Sequence, residues 1–309
     1  MNTIHLHEVG PRDGLQVEKK TVPFEEKIRW IEGSASAGMD AIQVGSFVNP
    51  EKVPQMADTD QLFQYFAAHK PGGVTLSGLV LNARGLERGL ACGVEMFCMG
   101  VSASDTHSRK NTGMSSNEAQ AVILPMAKQA LAAGKKVQAS VQSAFGCGFE
   151  GPIDPQRVLT LVKTYLEAGV RNISLADTAG HAQPHQVAEL FSAIRALDQK
   201  VELACHFHNT YGLGLANCFA ALDNGVTWFE SSFGGLGGCP FTKLPAGNVA
   251  TEDLVHSFQR LGLRKDIDLP ALLEVARQVA SFFERELPGF ILKSGSIVDF
   301  HEPPTGGSL

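Results

Sequence analysis

The stretch "SAGMDAIQVGS", Ser36–Ser46, joins a helical ending, a glycine and a short β-prone run. The same order returns in "ACGVEMFCMGV" (91–101), "AAGKKVQASVQ" (132–142), "EAGVRNISLAD" (167–177) and "DNGVTWFESS" (223–232). Glycine just past a helix takes the left-handed conformation without a steric penalty. A strand that begins directly afterwards is the αβ half of a βαβ unit. With the remaining apolar runs, strands are predicted near residues 4–9, 41–46, 74–80, 95–101, 136–143, 172–177, 201–206 and 226–232. Helical patterns lie between them. In "DPQRVLTLVKTYLEA" (154–168), Val158, Leu161, Val162, Tyr165 and Leu166 recur at helical spacing, and Asp154-Pro155 offers a cap and a first helical position.

Strands alternating with helices make a parallel sheet, and eight of them close a (β/α)8 TIM barrel. An open doubly wound sheet is the competing architecture. It would carry GxGxxG after its first strand, and "VGPRDGLQ" (9–16) does not match. The chain from about residue 251 onward exceeds what one barrel needs, so additional C-terminal helices are expected, one of them from Leu269 to Leu287. The expected division is a barrel domain with its added helices over 1–285 and a C-terminal extension over 286–309, frayed in its tail "HEPPTGGSL".

Composition bounds the function. The 309 residues are 44% hydrophobic and 19% charged, with a net charge of −6 and a pI near 5.9. That balance argues against a nucleic-acid binder, although local Lys and Arg clusters can still hold an anionic ligand. No apolar run is long enough to span a bilayer, and "MNTIHLHEVG" lacks the features of a secretory signal. The six cysteines are scattered without a CxxC pair, which reads as reduced thiols in the cytoplasm. Cys239 stands apart from the others. It lies among glycines in "FGGLGGCPFTKLPAGN" (233–248) rather than in an apolar run.

Barrel active sites lie at the C-terminal ends of the strands. There the sequence offers Glu8, Arg12, Asp13 and Gln16 after strand one, Gln43 on strand two and Asp177 after strand six. His206 and His208 follow at strand seven, and Cys239 and Asn248 after strand eight. Residues i and i+2 of a strand share a side, so two imidazoles project together, as a metal clamp or as hydrogen-bonded barrel lining. Asp13 from the same rim, with Asn248 as a further oxygen donor, completes a mixed nitrogen and oxygen set. That set suits Mg²⁺ or Mn²⁺, with Zn²⁺ open. Arg12 beside Asp13 is either a surface ion pair or a donor to a carboxylate or enolate oxygen. Asp177 reads equally as a supporting partner or as a cap for the segment that follows it.

Five segments carry a family resemblance: "EVGPRDGLQVEKK" (8–20), "GSFVNPEKVPQMAD" (45–58), "SLADTAG" (174–180), "CHFHNTYGLGLAN" (205–217) and "GLGGCPFTKLPAGNVATEDLVH" (235–256). Together they resemble the 3-hydroxy-3-methylglutaryl-CoA lyases over about residues 4–285. The RDG and HxH elements are shared with condensing enzymes of the isopropylmalate synthase kind, which lack the GGCP loop. The resemblance implies a divalent-metal barrel enzyme that cleaves a 3-hydroxyacyl-CoA, with acetyl-CoA as one product, and a homo-oligomer, expected as a dimer. It implies metal ligation by Asp13, His206, His208 and Asn248, and enolate stabilisation by Arg12. Cys239 would be a catalytic thiol on a mobile loop with Lys243 as a basic neighbour, Glu8 and Asp177 would be supporting groups, and Lys19 would lie near the acyl-CoA. Gln16 and Gln43 are expected at the substrate. Lys20, Lys52, Arg109 and Lys110 are further candidates for the CoA phosphates. The chain departs from the family where Gln43 replaces a Glu, where Phe233-Gly234 replaces a small pair, and where Phe241 replaces a Tyr. The lost carboxylate leaves room for a related acyl group such as citramalyl-CoA, or for a barrel that binds acyl-CoA without cleaving it.

Overall fold

The computed structural model describes residues 3–238 and 247–297. Eight parallel strands close a barrel in sequential order, the first hydrogen-bonded to the eighth. They are β1 His5–Glu8, β2 Ala41–Ser46, β3 Thr75–Leu79, β4 Met96–Ser102, β5 Lys136–Gln142, β6 Asn172–Asp177, β7 Glu202–Phe207 and β8 Trp228–Ser231. The (β/α)8 TIM barrel expected from the glycine rhythm is the architecture observed. Its helices are α1 Phe24–Ser36, α2 Thr59–Ala68, α3 Ala83–Ala91, α4 Asp105–Thr112, α5 Ser116–Ala132, α6 Pro155–Glu167, α7 Pro184–Leu197 and α8 Gly214–Asp223. Beyond β8 follow α9 Thr251–Arg260, α10 Leu269–Phe283 and α11 Ile291–Ser294.

The five glycines that set the rhythm all take positive φ, Gly38 at 102° and Gly169 at 88° among them. They end the helices where the next strand must begin. Asp154 caps α6 by accepting from the Gln156 N–H at 2.9 Å, as its place before Pro155 suggests. The apolar stripe Val158, Leu161, Val162, Tyr165 and Leu166 is buried against the sheet.

Two features of the packing position the site. The barrel interior carries the buried polar groups His7, Gln43, Ser77, Gln138, Ser174 and Glu230 beside a small apolar cluster of Ala41, Met96 and Cys98, whereas the main apolar core lies between sheet and helices. A separate cluster of Leu15, Val22, Trp30, Met56, Phe233, Leu236, Val275, Val279 and Leu287 joins α1 and α10 to the loop after β8. Trp30 meets Phe233 and Phe282 edge-on at 5.8 and 5.6 Å, geometries that contribute about 0.5–1.5 kcal/mol each beyond burial. The expectation of one helix from Leu269 to Leu287 is corrected. α10 stops at Phe283 because Glu284 turns into the left-handed region at φ 52°. That turn brings Leu287 back under the loop, where it is 1% exposed. Of the expected extension, residues 286–297 are described: the Phe290 and Ile291 N–H groups donate to Asp253 of α9. The tail 298–309 lies outside the described residues.

Candidate active site

Two segments carry Arg12, Asp13 and Asn248, while His206 and His208 stand at the end of β7. After β1 the backbone makes one wide helical turn, Gly10–Gly14, in which Asp13 N–H donates to Val9 O at 2.7 Å. This turn presents Arg12 and Asp13 at the C-terminal end of the barrel. On the far side of β8, the chain leaves through Phe233–Gly238 and returns at Gly247–Asn248. Glycine is required at this neck. Gly234 has φ 63°, and a Cβ there would lie 2.2 Å from Leu287 Cδ1. A Cβ on Gly247 would lie 1.7 Å from Gly235 O. The two arms of the loop therefore touch at their base. Cys239 and Lys243, the thiol and the basic neighbour expected from the sequence, lie outside the described residues, as does Phe241.

Asp13, His206 and His208 bring one ligand atom each to within 4.8 Å of one another. His206 Nε2 is 3.2 Å from His208 Nε2 and 3.8 Å from Asp13 Oδ2. The Asn248 side chain donates from Nδ2 to Asp13 Oδ2 at 2.8 Å and to Leu236 O at 2.9 Å. Its Oδ1 is buried without a partner among the described residues. An orphaned amide oxygen beside a carboxylate and two imidazoles is a donor set suited to a divalent cation.

Electrostatics agree with that reading. Burial alone would raise the Asp13 carboxyl, but Arg12 and the two imidazoles outweigh it and hold Asp13 well below the usual carboxylate range. Burial lowers His208 to about 4, with His206 adding to the effect, so this imidazole is neutral and able to ligate. Arg12 donates from Nη1 to Asp13 Oδ1 at 2.5 Å and from Nε to Gln43 Oε1. Its Nη2 makes no hydrogen bond among the described residues. A β-bulge follows Gln43, where the β2–β3 register shifts before Gly45. Bulges of this kind re-aim side chains beside active sites.

Arg12, Asp13 and the two histidines share one cavity of about 320 Å³, whereas Gln43 and Asn248 are buried behind them and do not line it. Arg12, Asp13, Gln16, His206, His208 and Glu230 line one end, and Gly238, the residue before Cys239, is also at its wall. Val48, Val53, Leu79 and Leu81 make an apolar side, and Asn111, Ser140, Gln142 and Thr178 a polar one.

Comparison with known proteins decides the family. A family model described as HMGL-like matches residues 3–279. The chain belongs to the HMGL-like family. Among its relatives, the hydroxymethylglutaryl-CoA lyase of Bacillus subtilis is 36% identical over 285 residues, covering 92% of this chain and 95% of the relative. The (R)-citramalyl-CoA lyase of Chloroflexus aurantiacus is 36% identical over 305 residues, covering 96% of each. Both are carbon–carbon lyases. The solved structure of an HMG-CoA lyase from Acinetobacter baumannii, in complex with coenzyme A and 3-methylmalate, superposes with a TM-score of 0.90. It shares 36% identity and covers 98% of both chains.

Within this HMGL-like chain the other expected residues separate by position. Glu8 is fully buried below the rim and accepts from Gly10 N–H, Phe233 N–H and the Thr251 hydroxyl. Burial raises its pKa to about 7. Asp177 is also buried, and its oxygens accept from the His181 and Ala182 N–H groups at 2.7 and 3.0 Å, which caps the loop after β6. Lys19 and Lys52 are exposed. Lys20 instead donates to Phe282 O at 2.6 Å and sits over the Phe282 ring, away from the cavity. Arg109 faces Glu118 at 3.7 Å, and Lys110 lies 4.8 Å from the centre of the Phe149 ring. Among the described residues no helix is long and apolar enough to cross a membrane. Sequence reasoning missed Glu230, His107, Ser140 and Gln142, which line the cavity. The available signal for Glu230 was an acidic residue inside the predicted eighth strand.

Proposed function

We propose that this protein is a divalent-metal-dependent lyase that splits a 3-hydroxy-3-methylacyl-CoA by retro-Claisen cleavage. The substrate favoured is 3-hydroxy-3-methylglutaryl-CoA, giving acetyl-CoA and acetoacetate. The observation that carries the reading is the convergence of Asp13, His206 and His208 with Arg12 in one cavity at the barrel rim. Cleavage requires that the tertiary hydroxyl lose its proton as its oxygen becomes a carbonyl. The electron pair of the breaking carbon–carbon bond then passes to the thioester as an enolate, and a proton returns to the enolate carbon. A divalent ion held by Asp13, His206, His208 and Asn248 would lower the pKa of the substrate hydroxyl and polarise its oxygens. Mg²⁺ and Mn²⁺ suit the donors, two imidazoles with oxygen.

Arg12 meets the enolate charge. Asp13 and Gln43 fix two of its nitrogens, so the guanidinium is oriented before substrate arrives, which is where electrostatic stabilisation gains most. The apolar wall of Val48, Val53, Leu79 and Leu81 excludes water from the enolate. We assign Cys239 as the group that returns the proton, a role open to a thiol whose pKa is brought near neutral.

A second reading rests on Gln43, which leaves Arg12 with a neutral amide on one flank. It is a lyase for a related diacid thioester, citramalyl-CoA. The test is acetyl-CoA release from both thioesters, with Mg²⁺ or Mn²⁺ and with a chelator. Chelator-sensitive release from the first supports the favoured reading, and turnover of only the second keeps the mechanism and moves the substrate. Metal binding without release from either would mark a non-catalytic acyl-CoA-binding barrel and overturn the proposal.

A further inference from the structure

Parallel pairing of β7 and β8 sets His206 beside Glu230. Glu230 is 7% exposed, and a carboxylate at that depth requires partners. It has one for each oxygen. Oε2 lies 2.9 Å from His206 Nδ1, and Oε1 accepts from the Ser174 hydroxyl at 3.0 Å. A carboxylate accepts only, so Nδ1 of His206 carries a proton, and when the ring is neutral its Nε2 offers the lone pair. That Nε2 points at His208 Nε2 and Asp13 Oδ2. His208 has no equivalent support: its Nδ1 is buried without a partner among the described residues. The two imidazoles are therefore unequal. One has its ring and tautomer fixed from below, while the other can place its proton on either nitrogen.

We propose that Glu230, braced by Ser174, is the positioning residue of the metal centre, holding His206 in the one tautomer that can ligate. This rests on the metal-dependent reading above. A carboxylate on the distal nitrogen of a ligating histidine orients the ring and raises its basicity, and its loss typically costs 10–100-fold in metal affinity. The charge acts in the same direction. Among the described residues Asp13 and Glu230 face Arg12 in this cluster, so removing Glu230 also removes half of its negative charge.

The test is Mn²⁺ binding to wild type, Glu230→Gln and Glu230→Asp, followed by paramagnetic resonance, with thermal midpoints to confirm folding. Glu230→Gln keeps the shape and loses the charge. Its Mn²⁺ dissociation constant is expected to rise by about 10–100-fold. The Mn²⁺ concentration for half-maximal activity should rise in parallel, and kcat at saturating Mn²⁺ should fall less. Glu230→Asp keeps the charge and should recover part of the affinity. Binding by folded Glu230→Gln within about twofold of wild type overturns the proposal against the range expected here, as do equal losses in the two variants. A wild type that binds no Mn²⁺ overturns the metal-dependent reading itself. Imidazole ¹⁵N spectra of metal-free wild type at alkaline pH give a readout that needs no variant. His206 protonated at Nδ1 is expected, and protonation at Nε2 would refute the assignment.

Discussion

Replacing Glu8 by Gln separates a supporting role from a catalytic one. Glu8 is 0% exposed and ties the turn that carries Arg12 and Asp13 to the start of the loop after β8. Burial raises its carboxyl from 4.5 to about 7, against the three hydrogen bonds that favour the charged form. The folded protein therefore holds this proton more tightly than the unfolded chain does. Glu8 contributes its full stability below pH 4.5, and that contribution is lost as pH rises toward 7. At roughly 1.4 kcal/mol per pH unit, the loss across this window is on the order of 3 kcal/mol. Glutamine stays neutral throughout. Its oxygen can accept from Gly10 and Phe233, and its amide can donate to Thr251, whose hydroxyl lies 2.9 Å from the Ser231 hydroxyl.

Urea unfolding with chelator present, at intervals from pH 5 to 8, should show the variant gaining on wild type by about 3 kcal/mol as pH rises. Glu252 is buried and raised to about 8, with Glu8 among the causes. It remains in both proteins and moves both curves in the same direction. A difference that stays constant across the range would mean that Glu8 does not titrate there, and the reasoning fails. Activity supplies the second arm. A proton-transfer role would cost about 100-fold or more in kcat, whereas a supporting role leaves kcat within a few-fold.

Three further substitutions address other parts of the site. Gln43→Glu would put a second carboxylate on Arg12, a charge-assisted bond of about 1.5–3 kcal/mol, and should raise turnover of 3-hydroxy-3-methylglutaryl-CoA. An equal or lower rate would show that the neutral amide suits this pocket. Cys239→Ser should cut turnover by about 100-fold or more while leaving Mn²⁺ affinity unchanged, and intact turnover would remove the thiol from the chemistry. Gly234→Ala must hold a side chain at φ 63° against Leu287. It should lower stability by about 1–3 kcal/mol, and an unchanged thermal midpoint would refute the tight-neck account.

The barrel was legible because its punctuation is local. Each capping glycine and the apolar run after it lie within a dozen residues, and periodicity needs no tertiary information. The His206 and His208 pair was legible for the same reason. Asp13 could be added because barrel topology places every strand end on one face. Glu8 shows where this stops. Its partners Phe233 and Thr251 are 225 and 243 residues away, so its place on strand one could not reveal that it turns away from the cavity toward the loop after β8 and the start of α9. Glu230 needed the β7–β8 register, which no local pattern encodes. Lys20 reads as a loop cation in sequence, yet the C-terminal end of α10 offers it a carbonyl and a ring. The end of α10 was misjudged because the apolar spacing continues to Leu287, and only the backbone reversal at Glu284 interrupts it.

Those long-range ties bear on how the site behaves under mutation. Glu8 joins Gly10 to Phe233 behind the barrel wall. Above it, Asn248 joins Asp13 to Leu236. Both ties span the same two segments, the turn after β1 and the loop after β8. Asp13 is then shared: Oδ1 receives Arg12, and Oδ2 receives Asn248. Arg12, the candidate metal ligands and the root of the cysteine-bearing loop therefore form one hydrogen-bonded unit rather than three independent parts. Energies of residues in such a network do not add. A substitution that removes a tie, Asn248→Ala or Glu8→Ala, should change the orientation of Arg12 as well as the position of the loop, and the cost of removing both ties should differ from the sum of the separate costs.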